Sequence, residues 1–216
     1  MPTPHLLEFV FCIMFVLTAD LLSAQTKVEF RKGYYIGQDG NRVDGFLAYK
    51  PNKGRIVHYL RNENAQPEKI KAKHLTGFVI DKDSFAIISD FFVEGVYTDL
   101  IRVRKPDIAK VTEIGPVILY QCHYFEVLST SAYVSPTGGT QTMRDERQQE
   151  TMIPVYILRR KDSPLLQSVP ESQASFNKVM SKYFEDDPNL AEEIANGKYA
   201  NRTTPELVRR FNNNTQ

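Results

Sequence analysis

The residues best suited to chemistry are few and scattered along the chain. Cys122 and His123 are neighbours, and a thiol beside an imidazole could form a nucleophilic dyad. They lie in the apolar run 117–128, where adjacent strand residues point to opposite faces of a sheet, so neither can serve the other. Cys122 instead shares its strand face with Ile118, Tyr120, Tyr124 and Leu128, the setting of a buried small hydrophobe. His58, His74 and His123 stand apart and read as half-exposed strand histidines. No His-x-x-x-His, Cys-x-x-Cys or His-Glu-x-x-His spacing accompanies them, so a zinc site would need all three to converge from a distance.

Two acidic clusters look like cation sites and have simpler explanations. Asp81-x-Asp83-Ser84 lacks the glycine and the twelfth-position glutamate of a calcium loop and reads as turn chemistry. Glu185-Asp186-Asp187 precedes a helix whose N-terminus favours acids. Carboxylate pairs for glycoside hydrolysis meet through space, and nothing in the spacing selects two acids over the others. Gly33-x-x-x-Gly37 falls in an expected hairpin with no helix to receive a phosphate, and no Gly-x-Ser-x-Gly elbow, phosphate loop or dinucleotide fingerprint occurs. No catalytic residue, metal or cofactor is expected.

The elements that must carry these residues are mostly strands. From Val28 to Leu158, short apolar or β-branched runs are closed by Gly, Asp, Asn or Pro at a spacing that favours an antiparallel meander, sandwich or barrel. Tyr34-Tyr35-Ile36 and Gly45-Phe46-Leu47-Ala48-Tyr49 flank Gln38-Asp39-Gly40-Asn41, a hairpin signal because Asp and Gly both tolerate positive φ. Further strands are expected at 55–60, 75–80, 85–88, 100–103, 109–114, 117–128 and 153–159, with Asp81-Lys82-Asp83-Ser84 as a connection.

At Ser168 the period changes. Phe176, Val179, Met180, Tyr183 and Phe184 mark one face of a helix, Asp187-Pro188 opens a second with Leu190, Ala191 and Ile194, and Thr204-Pro205-Glu206 opens a third with Leu207, Val208 and Phe211. The fold class is therefore α+β: an antiparallel β-rich domain at 25–167, a cap of three short helices at 168–211 and a polar tail at 212–216. Residues 131–151 are expected to be a long loop, and a loop of that length is uncommon in a compact domain unless it has a task. If it contacts a partner, Tyr133 and Met143 are its apolar anchors and Arg144 and Arg147 its polar rim.

Composition and address narrow the setting. Phe9 to Leu17 is an uncharged apolar run followed by Leu22-Ser23-Ala24-Gln25, which reads as a secretory signal, residues 1–24, cut after Ala24. The run is shorter than the roughly 20 residues a stable span needs. A membrane anchor is the alternative, since no Lys or Arg precedes the run, but Asp20 would be costly in lipid. Cleavage removes Glu8 and Asp20 from the 26 acids, leaving 24 against 27 bases, formally +3. That balance excludes the polybasic field on which nucleic-acid binding depends. Cys12 leaves with the signal, so Cys122 is alone and an exported chain must rely on packing rather than disulfides.

Several segments together resemble a family of exported proteins of Bacteroidota that have no assigned function. They are Gly33-Tyr34-Tyr35-Ile36 with Gly45-Phe46-Leu47, the run Ile70-Lys71-Ala72-Lys73-His74-Leu75-Thr76-Gly77-Phe78, Gly115-Pro116-Val117-Ile118-Leu119-Tyr120, and Tyr156-Ile157-Leu158-Arg159-Arg160. The resemblance implies a β-rich exported module with a helical end and no assigned catalytic residue. The expected function is a non-catalytic module of the envelope, periplasmic or surface-associated, that binds a protein, glycan or surface component. The alternative is a hydrolase of envelope polymers that uses carboxylates or histidines.

Overall fold

The computed structural model describes residues 29–51, 54–93, 101–128 and 149–215. Arg31–Gln216 forms one unit and Met1–Phe30 is assigned to another. Twelve strands are described: β1 Arg31–Gly37, β2 Arg42–Tyr49, β3 Ile56–Leu60, β4 Glu68–Lys71, β5 Leu75–Ile80, β6 Asp83–Ile88, β7 Phe91–Val93, β8 Ile101–Val103, β9 Asp107–Glu113, β10 Val117–Leu128, β11 Gln149–Arg160 and β12 Leu166–Ser168. Three helices follow, α1 Gln173–Tyr183, α2 Pro188–Ala195 and α3 Thr204–Asn214. The α+β class read from periodicity is the class observed.

Ten strands make a single antiparallel sheet in the order β12-β11-β10-β9-β6-β5-β1-β2-β3-β4, and β7 and β8 pair separately. The sheet has two ends, so it is not a closed barrel, yet it curls strongly. β3 and β9 lie five strands apart, about 24 Å if the sheet were flat. Arg55, just before β3, nonetheless holds Asp107 of β9 at 3.1 Å. Inside the curl, Tyr49 packs edge-on against Phe78 and Phe85 at 5.7 and 5.6 Å, and Leu47, Val57, Tyr59 and Ile108 belong to the same cluster.

Strand alternation divides the rest of the core between two coverings. Val117 and Leu119 of β10 and Leu158 of β11 face the helices, where they meet Phe176, Met180, Phe184, Leu190, Ile194, Leu207, Val208 and Phe211. Ile118, Tyr120 and Cys122 face the other way, against Phe91, Val93 and Val103 of the small sheet. The five apolar positions expected on the first helix, Phe176 to Phe184, all belong to the helix-side cluster. Ser172 caps α1 by accepting from Ser175 N, and the Asp187 side chain caps α2 by accepting from Leu190 N at 3.1 Å.

Several expectations need correction. Only Gly40 takes positive φ in the first hairpin, at 77°, while the Asp39 carboxylate accepts from the backbone N of Asn41 at 3.1 Å and from its Nδ2 at 2.7 Å. Asp81 does adopt positive φ, and Asp83 and Ser84 belong to β6 rather than to a connection. His74 is exposed in a 3-10 turn, Ala72–His74, instead of a strand. β11 begins at Gln149, so 149–151 pair with β10 and are not loop. Tyr133, Met143, Arg144 and Arg147, the expected partner contacts, lie outside the described residues. Finally, 212–216 is not simply a polar tail: α3 runs to Asn214, and Asn212 is only 4% exposed.

Candidate functional site

The reactive side chains are largely committed to the fold. Cys122 is 1% exposed, and burial, reinforced by the charge of Asp107, pushes its thiol well above the ordinary range. A thiol so placed is a poor nucleophile. His123 is half-buried, and burial followed by the charge of Lys110 holds its pKa below the usual value. Asp81 pairs with Arg31 at 3.0 Å and Asp83 with Lys110 at 2.7 Å, so the first acidic cluster stitches strands together. In the second cluster Asp187 caps α2 and Asp186 pairs with Arg160. Among the described residues no three His, Cys, Asp or Glu side chains converge as metal ligands.

Arg160, the last residue of β11, stands between two concave surfaces. Its guanidinium pairs with Asp186 at 2.6 Å, donates to the carbonyl of Tyr183 and lies over the Tyr183 ring at 5.0 Å and the Phe211 ring at 5.8 Å. These contacts fasten the C-terminal end of α1 to the end of the sheet. The two open clefts share Arg160 and Asp162.

The first cleft, about 610 Å3, runs between the sheet and α1. Arg160, Asp162 and Gln167 line one wall; Lys178, Val179, Lys182 and Tyr183 line the other, with Glu185 and Asp186 beyond. Lys178 and Lys182 are four residues apart and therefore share a helix face. Burial pushes the Tyr183 phenol up to about 12, with Arg160 opposing and Asp162 reinforcing the shift. It remains a protonated donor at neutral pH, and its buried hydroxyl has no hydrogen-bond partner among the described residues.

The second cleft, about 720 Å3, is more apolar, with Ile114, Gly115, Pro116 and Ile118 beside Lys161 and Asp162. Ile114 is 73% exposed, and Leu165, on the loop following β11, is 77% exposed. Lys161 N donates to Pro116 O at 2.9 Å, which ties the two loops at this end of the sheet together.

Sequence reasoning passed over both clefts. The apolar stripe of α1 was legible, but the lysines on its other side look like ordinary solvated positions. Arg160 and Asp162 follow β11 without any motif. Their meeting with α1 depends on how the helices return to the sheet. No known protein family, curated protein or solved structure matches the chain.

Proposed function

We propose that the chain is an exported, non-catalytic β-rich module of the bacterial envelope, of the Bacteroidota type its segments resemble, that binds a protein, glycan or surface component. One observation carries the reading: two open clefts meet at Arg160 and Asp162, while the thiol is buried in the core and Asp81, Asp83, Asp186 and Asp187 are taken up by ion pairs and a helix cap. Ile114 and Leu165 supply exposed apolar contacts at the same end of the sheet. No helix among the described residues is long and apolar enough to cross a membrane. Residues Tyr133, Met143, Arg144 and Arg147 remain the proposed contacts on the connecting segment.

Two experiments test this reading. The full chain, expressed with its leader, should yield a mature form that begins at Gln25; an envelope form retaining Met1 refutes cleavage. Affinity capture from envelope extract should recover a partner that is lost when Ile114→Asp is combined with Lys161→Glu, or when 135–150 is replaced by Gly-Asn-Gly. Capture unchanged in both variants removes the proposed surfaces.

A hydrolase is the second reading, because Asp162 and Glu185 both line the first cleft. Both are exposed, whereas the general acid of a glycosidase works from a desolvated position. Release of reducing ends from envelope polysaccharide by the wild type, but not by Asp162→Asn or Glu185→Gln, would establish that reading over the binding one.

A further inference from the structure

We propose that the cleft between α1 and the end of the sheet is a binding site for a neutral, polyhydroxylated ligand, a short glycan. The inference rests on the binding-module reading and names the ligand class and site within it. The lining carries three cations, Arg160, Lys178 and Lys182, against three carboxylates, Asp162, Glu185 and Asp186, so its formal charge cancels. A ligand with net charge of either sign meets as much repulsion as attraction there. Arg160 and Asp186 are spent on each other and Gln167 Nε2 donates to Ser168 O at 2.9 Å, which leaves two ammonium donors, two carboxylate acceptors and the Gln167 amide oxygen around one open space.

Sugar hydroxyls match that mixture, because each donates and accepts and neighbouring hydroxyls can serve an ammonium and a carboxylate at once. The apolar part of the wall is small. Val179 and the Tyr183 ring suit the C–H face of a pyranose better than a large aliphatic anchor, and Arg160 already occupies one face of that ring. The Tyr183 hydroxyl itself is sealed beneath the cleft, so a ligand meets the ring and not the hydroxyl.

The test uses the purified full chain and three probes, chitotetraose, cellotetraose and maltotetraose, at millimolar concentration. Ligand-observed NMR should detect at least one of them, and protein amide shifts should centre on Gln167, Val179 and Tyr183. Gln167→Ala and Lys182→Met should each weaken that binding about fivefold or more. Tyr183→Phe should leave it unchanged, since the hydroxyl it removes is sealed from the cleft.

Failure of all three sugars to bind overturns the proposal. So does binding unaffected by Gln167→Ala and Lys182→Met, or preference for the zwitterionic peptide Lys-Glu over the sugars. Envelope capture that persists in Gln167→Ala and Lys182→Met while no sugar binds removes this inference alone and leaves the binding-module reading standing.

Discussion

The carboxamide of Asn212 brackets the backbone of Val117: Oδ1 accepts from Val117 N at 2.9 Å and Nδ2 donates to Val117 O at 2.8 Å. A side chain near the end of α3 thus satisfies both polar groups of the first residue of β10, as a neighbouring strand would. Gly115 makes room for it, since a Cβ there would collide with the carboxamide. Arg209, three residues earlier, adds an ion pair to Glu113 at 2.5 Å. The last helix is therefore held to the sheet by polar pairing as well as by the burial of Leu207, Val208 and Phe211.

Removing this clamp should be costly. Asn212→Ala leaves the N–H and C=O of Val117 without their side-chain partner, and a buried group left unsatisfied costs about 1–3 kcal/mol. Asn212→Asp should be at least as harmful at neutral pH, because a carboxylate cannot donate to Val117 O and would be buried. Gly115→Ala should resemble Asn212→Ala. Denaturant unfolding checks all three, and wild-type midpoints would show that the clamp contributes nothing.

The helices should not be separable from the sheet. Val117, Leu119 and Leu158 share one cluster with the helical side chains, and exposing a large side chain forfeits about 1.5–3 kcal/mol. Truncation before residue 168 should give an insoluble fragment. A soluble, cooperatively unfolding fragment would mean that the β domain stands alone.

Acid should weaken the packing between α2 and α3. Hydrogen bonds from Arg210 and Lys198, with their charges, lower the Glu193 pKa from 4.5 to about 2. A carboxylate whose folded pKa is depressed contributes stability that is present above the unfolded value and is lost as pH falls towards the folded one. Glu193→Gln should therefore lower Tm at pH 7, and its difference from wild type should shrink between about pH 4.5 and pH 2. A difference independent of pH across that window would assign the effect to packing instead of charge.

Cys122 should resist modification. It is buried with its pKa raised, so a thiol reagent such as Ellman's should label it only as the protein unfolds. Rapid labelling of the native chain at neutral pH would contradict its place in the core.

Much of this fold is written in local pattern. Alternation and turn residues located most strands, and the 3.6 period with Asp187 and Thr204-Pro205 located the helices, because each depends only on residues close in sequence. Cys122 was legible as a core residue for the same reason. β4, Glu-Lys-Ile-Lys, was not marked out as a strand because it has little alternation and takes its form from pairing with β3. The polar run after Phe211 looked like a tail because Asn212 is recognisable as an inward residue only once Gly115 and Val117 are beside it.

The candidate site depended still more on tertiary structure. Residues 114–118, 160–167 and 178–186 hold no shared motif, and only the pairing of β10 with β11 and the return of α1 onto the sheet bring them together. Local sequence determined which segments became strands and helices, since backbone preference and side-chain period act over a few residues. Tertiary structure decided which polar groups met, because the partners of Arg160, Asn212 and Arg55 are chosen by packing across 23, 95 and 52 positions of the chain.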